Sequence, residues 1–362
     1  MNTNKIIQHS SSTVSAVEFD YIKALAKRNY VGHGINCLAL KKALAEYSKK
    51  TGIVLTHNGQ AAVELALQRL KILYPKKNEV IVSGYVCPAV INAILSCSLK
   101  PIFADIEVNS FNIRVEDILN SCLSSKTLAI ICTNTGGFPD DYISLLKLKI
   151  PIISDCAQAI GSSINNFPLI SLGMMSIVSF GPTKMITAGC GGALICEKNN
   201  YESIEKAASP ELSVKEYFKN GFLPTIGQHF SDLNAGLAFS QLGRLNEFIK
   251  KRHIIAMKYY EILKPFIKIK FPEIVKEGKP NYFRFYFISE NAPFLIKILR
   301  QNGIDARSSI AHVIIDYFPK TNKCVNLKRM ANKMVSLPIY PGLSNLNINQ
   351  ILQTLQLSLR KG

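Results

Sequence analysis

No stretch of this 362-residue chain approaches the roughly 18 uninterrupted apolar residues that a membrane-spanning helix needs. The opening segment, MNTNKIIQHSSSTVSA, carries one lysine and no apolar core, so it does not read as a secretory leader and a cytoplasmic location is expected. Charged residues are sparse at 19% while hydrophobic ones reach 48%, which argues against disorder and for a sizeable core. The nine cysteines contain no CxxC pair, and their number is odd. Several fall in apolar runs such as AIICT and GALICE, where a thiol behaves as a small hydrophobe. Neither a disulfide framework nor a metal site is expected.

What the chain has in excess is positive charge, a formal +18. The lysines are spread out, with only short clusters such as Lys76-Lys77 and Lys250-Lys251-Arg252. No basic stripe interleaved with aromatics appears, so specific nucleic-acid binding is not expected. A solvated lysine surface accounts for the balance, with attraction of phosphorylated small molecules as a possible benefit.

From about residue 50 to 200, short β-branched runs alternate with helical patterns. The strands expected are Ile53–Thr56, Glu79–Ser83, Pro101–Asp105, Leu128–Thr133, Pro151–Asp155, Ser176–Phe180 and Ala193–Glu197. Between them lie helices such as 61–73, with Val63, Leu65, Ala66, Leu67 and Leu70 at helical spacing. Apolar strands separated by helices predict an α/β fold with a largely parallel sheet covered on both faces. The last strand follows the turn Ala188-Gly189-Cys190-Gly191-Gly192 and can pair as a hairpin-like neighbour. Ser231-Asp232 then supplies cap chemistry for a long helix leading towards a smaller C-terminal part. The division expected is a large domain over 1–245 and a small α+β domain over 246–362, with the N-terminal segment able to pack on the latter. In the small domain a strand is expected over 281–288, a helix over 292–302, a turn into a strand after Gly303, and a final helix capped by Asn347.

Three places carry chemistry. Asp155 ends an apolar strand, where open α/β sheets gather ligand groups. Its carboxylate can pair with a protonated heterocyclic nitrogen, or it can cap a following helix, and Gln158 can meet the same ligand. Lys184 lies in Ser179-Phe180-Gly181-Pro182-Thr183-Lys184, between two buried-looking strands. A desolvated lysine has a lowered pKa, and its free amine forms Schiff bases. The turn His57-Asn58-Gly59-Gln60-Ala61-Ala62 opens a helix whose first N–H groups can bind an anion, although it is neither a Walker loop nor a GxGxxG turn.

In this order the segments resemble the DegT/DnrJ/EryC1/StrS family of pyridoxal-phosphate (PLP) sugar aminotransferases, of fold type I. The resemblance runs over nearly the whole chain. It rests on Asn58-Gly59-Gln60-Ala61-Ala62, Lys100-Pro101-Ile102-Phe103-Ala104-Asp105-Ile106 and Asp155-Cys156-Ala157-Gln158-Ala159. It also rests on Ser179–Lys184, on Asp232-Leu233-Asn234-Ala235 with Gln241-Leu242, and on Ser336-Leu337-Pro338-Ile339-Tyr340-Pro341. The resemblance implies a seven-stranded sheet between helices, with Lys184 as the Schiff-base lysine and Asp155 on the pyridine nitrogen. It places Gln158 at the ring's 3-oxygen, and Ser179 with the backbone of Gly59 and Gln60 at the phosphate. It further implies a homodimer with shared sites, an amino-acid donor such as glutamate, and a keto-sugar acceptor, nucleotide-linked, in surface-polysaccharide or modified-sugar synthesis.

Several positions depart from that pattern. Cys87 stands where many members place the aromatic residue that stacks on the ring, so Tyr85 becomes the candidate for that role against a plain core tyrosine. Asn134 replaces a histidine. His229, in Gly227-Gln228-His229-Phe230, is a candidate for the partner subunit's phosphate. Arg307 and His312 occupy the region that meets substrate, without an assignable role. Another PLP chemistry, such as elimination or transamination of a non-sugar ketone, and a non-catalytic binding role are the competing readings.

Overall fold

Each of the seven apolar runs is a strand, and all seven join one sheet. The computed structural model describes residues 6–27, 32, 34–209, 212–222, 230–308, 317–318 and 324–361. The strands are β1 (Gly52–Thr56), β2 (Glu79–Ser83), β3 (Lys100–Ala104), β4 (Thr127–Cys132), β5 (Ile152–Asp155), β6 (Met175–Ser179) and β7 (Gly192–Cys196), in the order β1-β7-β6-β5-β4-β2-β3. The pairings from β3 through β6 are parallel, whereas β7 runs antiparallel to both β6 and β1. Six of the seven are buried at every position or all but one terminal position, as expected of a sheet covered on two faces. The hairpin-like β6–β7 pairing expected from the glycine-rich turn is present.

Local sequence sets the helices that cover the sheet. Asn58 caps the Gly59–Leu73 helix by accepting the Ala61 N–H at 2.8 Å. Pro88 opens the Pro88–Ser96 helix at its first turn. Ser231 caps the Asp232–Gly243 helix, which breaks at Arg244 before the Leu245–Leu263 helix begins. The single long helix expected here is therefore two. At the break Arg244 pairs with Glu18 and Glu247. Among the described residues, no helix is long and apolar enough to cross a membrane.

The C-terminal part pairs Phe285–Ile288 antiparallel with Met334–Leu337 and packs helices Ala292–Gln301 and Asn345–Lys361. Three expectations change here. Only 285–288 of the 281–288 run is strand, because Tyr282 takes a positive φ of 52° and the Asn281 and Arg284 N–H groups bond Ser162 Oγ and the Gly136 carbonyl. No strand starts directly after the Gly303 turn, over 304–308; Ile304 and Arg307 make isolated bridges to Ile7 and Ser336. The last helix starts at Asn345, and Ser344 rather than Asn347 caps it, its Oγ accepting the Asn347 N–H at 3.1 Å. The N-terminal segment runs beside Ile304, with Ile7 and Gly303 joined by a 2.8 Å hydrogen bond.

Candidate active site

The carboxyl ends of β1, β4, β5 and β6 open on one cavity of about 330 Å³, the position where open α/β sheets hold ligands. Every described residue lining it falls between Asn58 and Lys184. At one end the Gly59–Leu73 helix presents its N-terminus, where first-turn N–H groups have no helical acceptor. Gly59 packs against Ser179 so closely that a Cβ would come within 3.1 Å of the serine Cβ. Small size here keeps the helix end and the Ser179 hydroxyl together.

At the other end stands Asp155, the last residue of β5. No helix follows it, so its carboxylate is not used as a helix cap; Oδ1 accepts only the Ala157 N–H, at 2.9 Å. Burial raises its pKa, and the positive charge of Lys184 opposes that rise. Lys184 is half-buried beside the cavity, and desolvation lowers its pKa against the pull of Asp155 and Cys87, with Arg284 adding to the lowering. A lysine so placed favours its neutral, nucleophilic amine. Gln158 lines the same cavity. Its Oε1 accepts the Gly136 N–H at 2.9 Å, which leaves the side-chain N–H groups for a ligand oxygen.

Two further residues fix this end. Asn134, in the left-handed region with φ 46°, donates from Nδ2 to the carbonyls of Asp155 and Cys132 and to the Tyr142 hydroxyl, and accepts the Asp140 N–H. Asn281 donates to the carbonyls of Gln158 (3.0 Å) and Ile160 (2.9 Å), so the C-terminal part braces the loop after β5. Gly137 makes room for it. A Cβ there would sit 1.8 Å from Asn281 Oδ1.

Tyr85 lines the cavity and is also core, 3% exposed, packed on Phe111 with ring centroids 5.0 Å apart. Cys87 lines the cavity as an exposed thiol. Arg307 stands apart from the cavity and pairs with Asp305 at 2.8 Å. His229 and His312 lie outside the described residues. Sequence reasoning missed Thr133 and Thr135 on the cavity wall, and it missed Arg284. The guanidinium of Arg284 stacks over Phe283, 4.3 Å from the ring centroid, and the Lys184 amine lies 5.7 Å from the same centroid. A lone arginine inside the apolar run Tyr282–Ile288 was the signal available.

A lysine amine and a carboxylate on one cavity suit an aldehyde-bearing pyridine, and the fold that carries them is that of the pyridoxal-phosphate aminotransferases. More narrowly, the chain belongs to the DegT/DnrJ/EryC1/StrS aminotransferase family, which matches it over residues 13–356. It is an aminotransferase, and its cofactor is pyridoxal 5′-phosphate. Among curated relatives it is 27% identical over 334 residues to the GDP-perosamine synthase of Vibrio cholerae, covering 85% of this chain and 86% of that one. It is also 27% identical over 345 residues to the dTDP-4-amino-4,6-dideoxy-D-glucose transaminase of Shigella dysenteriae, covering 91% and 92%. The crystal structure of AtS13 from Actinomadura melliaura superposes with a TM-score of 0.88 at 20% identity, over 98% of this chain and 99% of that one.

Proposed function

We propose that this chain moves the amino group of an amino acid, glutamate in our reading, to the keto group of a nucleotide-linked sugar in surface-polysaccharide or modified-sugar synthesis. The observation that carries the reading is Lys184, half-buried and shifted towards its neutral form, on the same cavity as the buried Asp155. The nucleotide-linked amino sugars in the names of the relatives from V. cholerae and S. dysenteriae support the acceptor class.

The cavity's two ends fit the cofactor. The Gly59–Leu73 helix N-terminus and Ser179 would hold its phosphate, Asp155 its ring nitrogen, Gln158 its ring hydroxyl oxygen, and Lys184 its aldehyde carbon. When bound, PLP supplies the electron sink that makes the donor's α-proton removable. The chain's own residues do the rest. Asp155 keeps the ring nitrogen protonated, and the hydrogen bond from Asn134 to its carbonyl holds it in place. The Lys184 Nζ would act as base towards the donor's α-proton and then as the acid that gives it back. Val86, Val90 and Ile177 give the cavity apolar walls that keep water from the reacting atoms. A homodimer in which a second copy helps close the site is part of this reading. Exposed apolar side chains on the 35–48 helix, Ile35 and Leu38, support an intersubunit face.

The test is the donor half-reaction. Purified protein loaded with PLP and mixed with L-glutamate should convert to the amine form of the cofactor with release of 2-oxoglutarate. Adding nucleotide-linked keto sugars should then restore the aldehyde form and yield an amino sugar by mass spectrometry. Failure with every amino donor sinks the reading; success with donors but with non-sugar ketones alone replaces the acceptor.

A further inference from the structure

Arg284 is more than nine-tenths buried, yet its Nε and Nη1 are buried without a hydrogen-bond partner. A charge taken out of water without a counter-charge is strongly destabilising, so such a group calls for an anion. Among the described residues no carboxylate pairs with it. Asp305, the acidic group of that neighbourhood, is taken by Arg307 and by the His9 N–H. Arg307 is itself a second cation beside it. Burial lowers the pKa of Arg284 to about 10, which leaves it charged at neutral pH.

The position of Arg284 decides which anion. The cofactor phosphate has its own end of the cavity, at Gly59 and Ser179. A sugar-linked diphosphate is held away from the reacting carbon by a sugar ring and a glycosidic oxygen. The α-carboxylate of an amino acid is different. It sits on the carbon bonded to the amino nitrogen, and that nitrogen takes the place of Lys184 Nζ. Arg284 and Lys184 share the ring of Phe283. We propose that Arg284 binds the α-carboxylate of the amino donor and so selects α-amino acids over amines that lack that group. This rests on the amino-transfer reading and sharpens it.

The PLP-loaded protein is titrated with L-glutamate and with 4-aminobutyrate, which lacks the α-carboxylate, and binding is followed by cofactor absorbance. Glutamate should bind about 100-fold more tightly to the unsubstituted protein, and Arg284→Met should remove that preference while leaving 4-aminobutyrate affinity unchanged. Arg284→Lys, which keeps the charge but not the fork, should retain part of it. Equal affinity for the two amines in the unsubstituted protein overturns the inference. So does Arg284→Met with full glutamate affinity, or with equal losses for both amines. Should that variant not fold, the two-amine comparison and Arg284→Lys decide. A protein that converts no amine at all overturns the amino-transfer reading and this inference with it, whereas one that converts both amines alike overturns this inference alone.

Discussion

The side-chain amide of Asn134 donates to the main-chain carbonyl of Asp155 across 3.1 Å. The same amide bonds the Cys132 carbonyl and the Tyr142 hydroxyl, and Tyr142 bonds Ser154 at 2.5 Å. The carboxylate at the end of β5 is thus set by a buried polar network that reaches back to the end of β4.

Asn134→Ala should therefore lower stability by about 2–4 kcal/mol, since it strands buried carbonyls and forces a Cβ-bearing residue without a local hydrogen bond into the left-handed region. Asn134→Gly should recover about 1 kcal/mol of this, the backbone share, without restoring the network. Urea unfolding of the three proteins checks both figures, and PLP titration should show weakened cofactor binding in both variants.

Lys184→Ala should abolish covalent attachment of the cofactor and reduce turnover by at least about 10³-fold. After borohydride reduction, the peptide containing residue 184 should carry the cofactor's mass in the parent protein and not in the variant. Asp155→Asn should keep that mass yet lose about 100-fold in turnover, because the neutral amide no longer favours a protonated ring nitrogen. A cofactor mass on any other lysine of the parent would overturn the assignment.

His9 gives a pH signature. Burial, with Arg284 and Arg307 adding to it, pulls its pKa from 6.5 down to about 3. A histidine depressed in this way contributes stability that is fully present above pH 6.5 and is lost as pH falls from there towards 3. The parent should lose a few kcal/mol, roughly, across that window. His9→Gln, which can keep the bond to the Ser336 hydroxyl without titrating, should lose less. Urea midpoints between pH 7 and pH 4 measure the difference, and parallel curves for the two proteins would refute it.

Gly137→Ala should cost about 3 kcal/mol or more, combining a positive φ of 89° with a Cβ on top of Asn281 Oδ1. Differential scanning calorimetry should show the loss. Asn281→Ala in the Gly137→Ala background should add less than it does alone, because the clash and the tether belong to the same side-chain amide.

The central sheet was legible because each strand is a short apolar run buried on both faces, a pattern that needs no partner to be recognised. Asp155 was legible because it ends such a run, and Lys184 because it lies in a glycine-bearing loop between two of them. The bracing was not. Asn281 reaches Gln158 across 123 residues of sequence, and nothing in the run Asn281–Ile288 separates that tether from an ordinary strand start. Its aromatic alternation reads as strand throughout, yet Tyr282 takes a positive φ of 52° and only the second half pairs. Arg284 was passed over for the same reason. Its meaning comes from Lys184 beyond the Phe283 ring, a relation that periodicity does not carry.

Because every described residue that lines the cavity lies between Asn58 and Lys184, while the Asn281 brace comes much later in the chain, synthesis completes this part of the pocket in two instalments. A nascent chain that has emerged through β7 already holds every described side chain that lines the cavity but not the clamp on the loop after β5. Retention of the cofactor is thereby coupled to completion of the C-terminal part, and a prematurely terminated chain carries the lysine without the means to keep its surroundings in order.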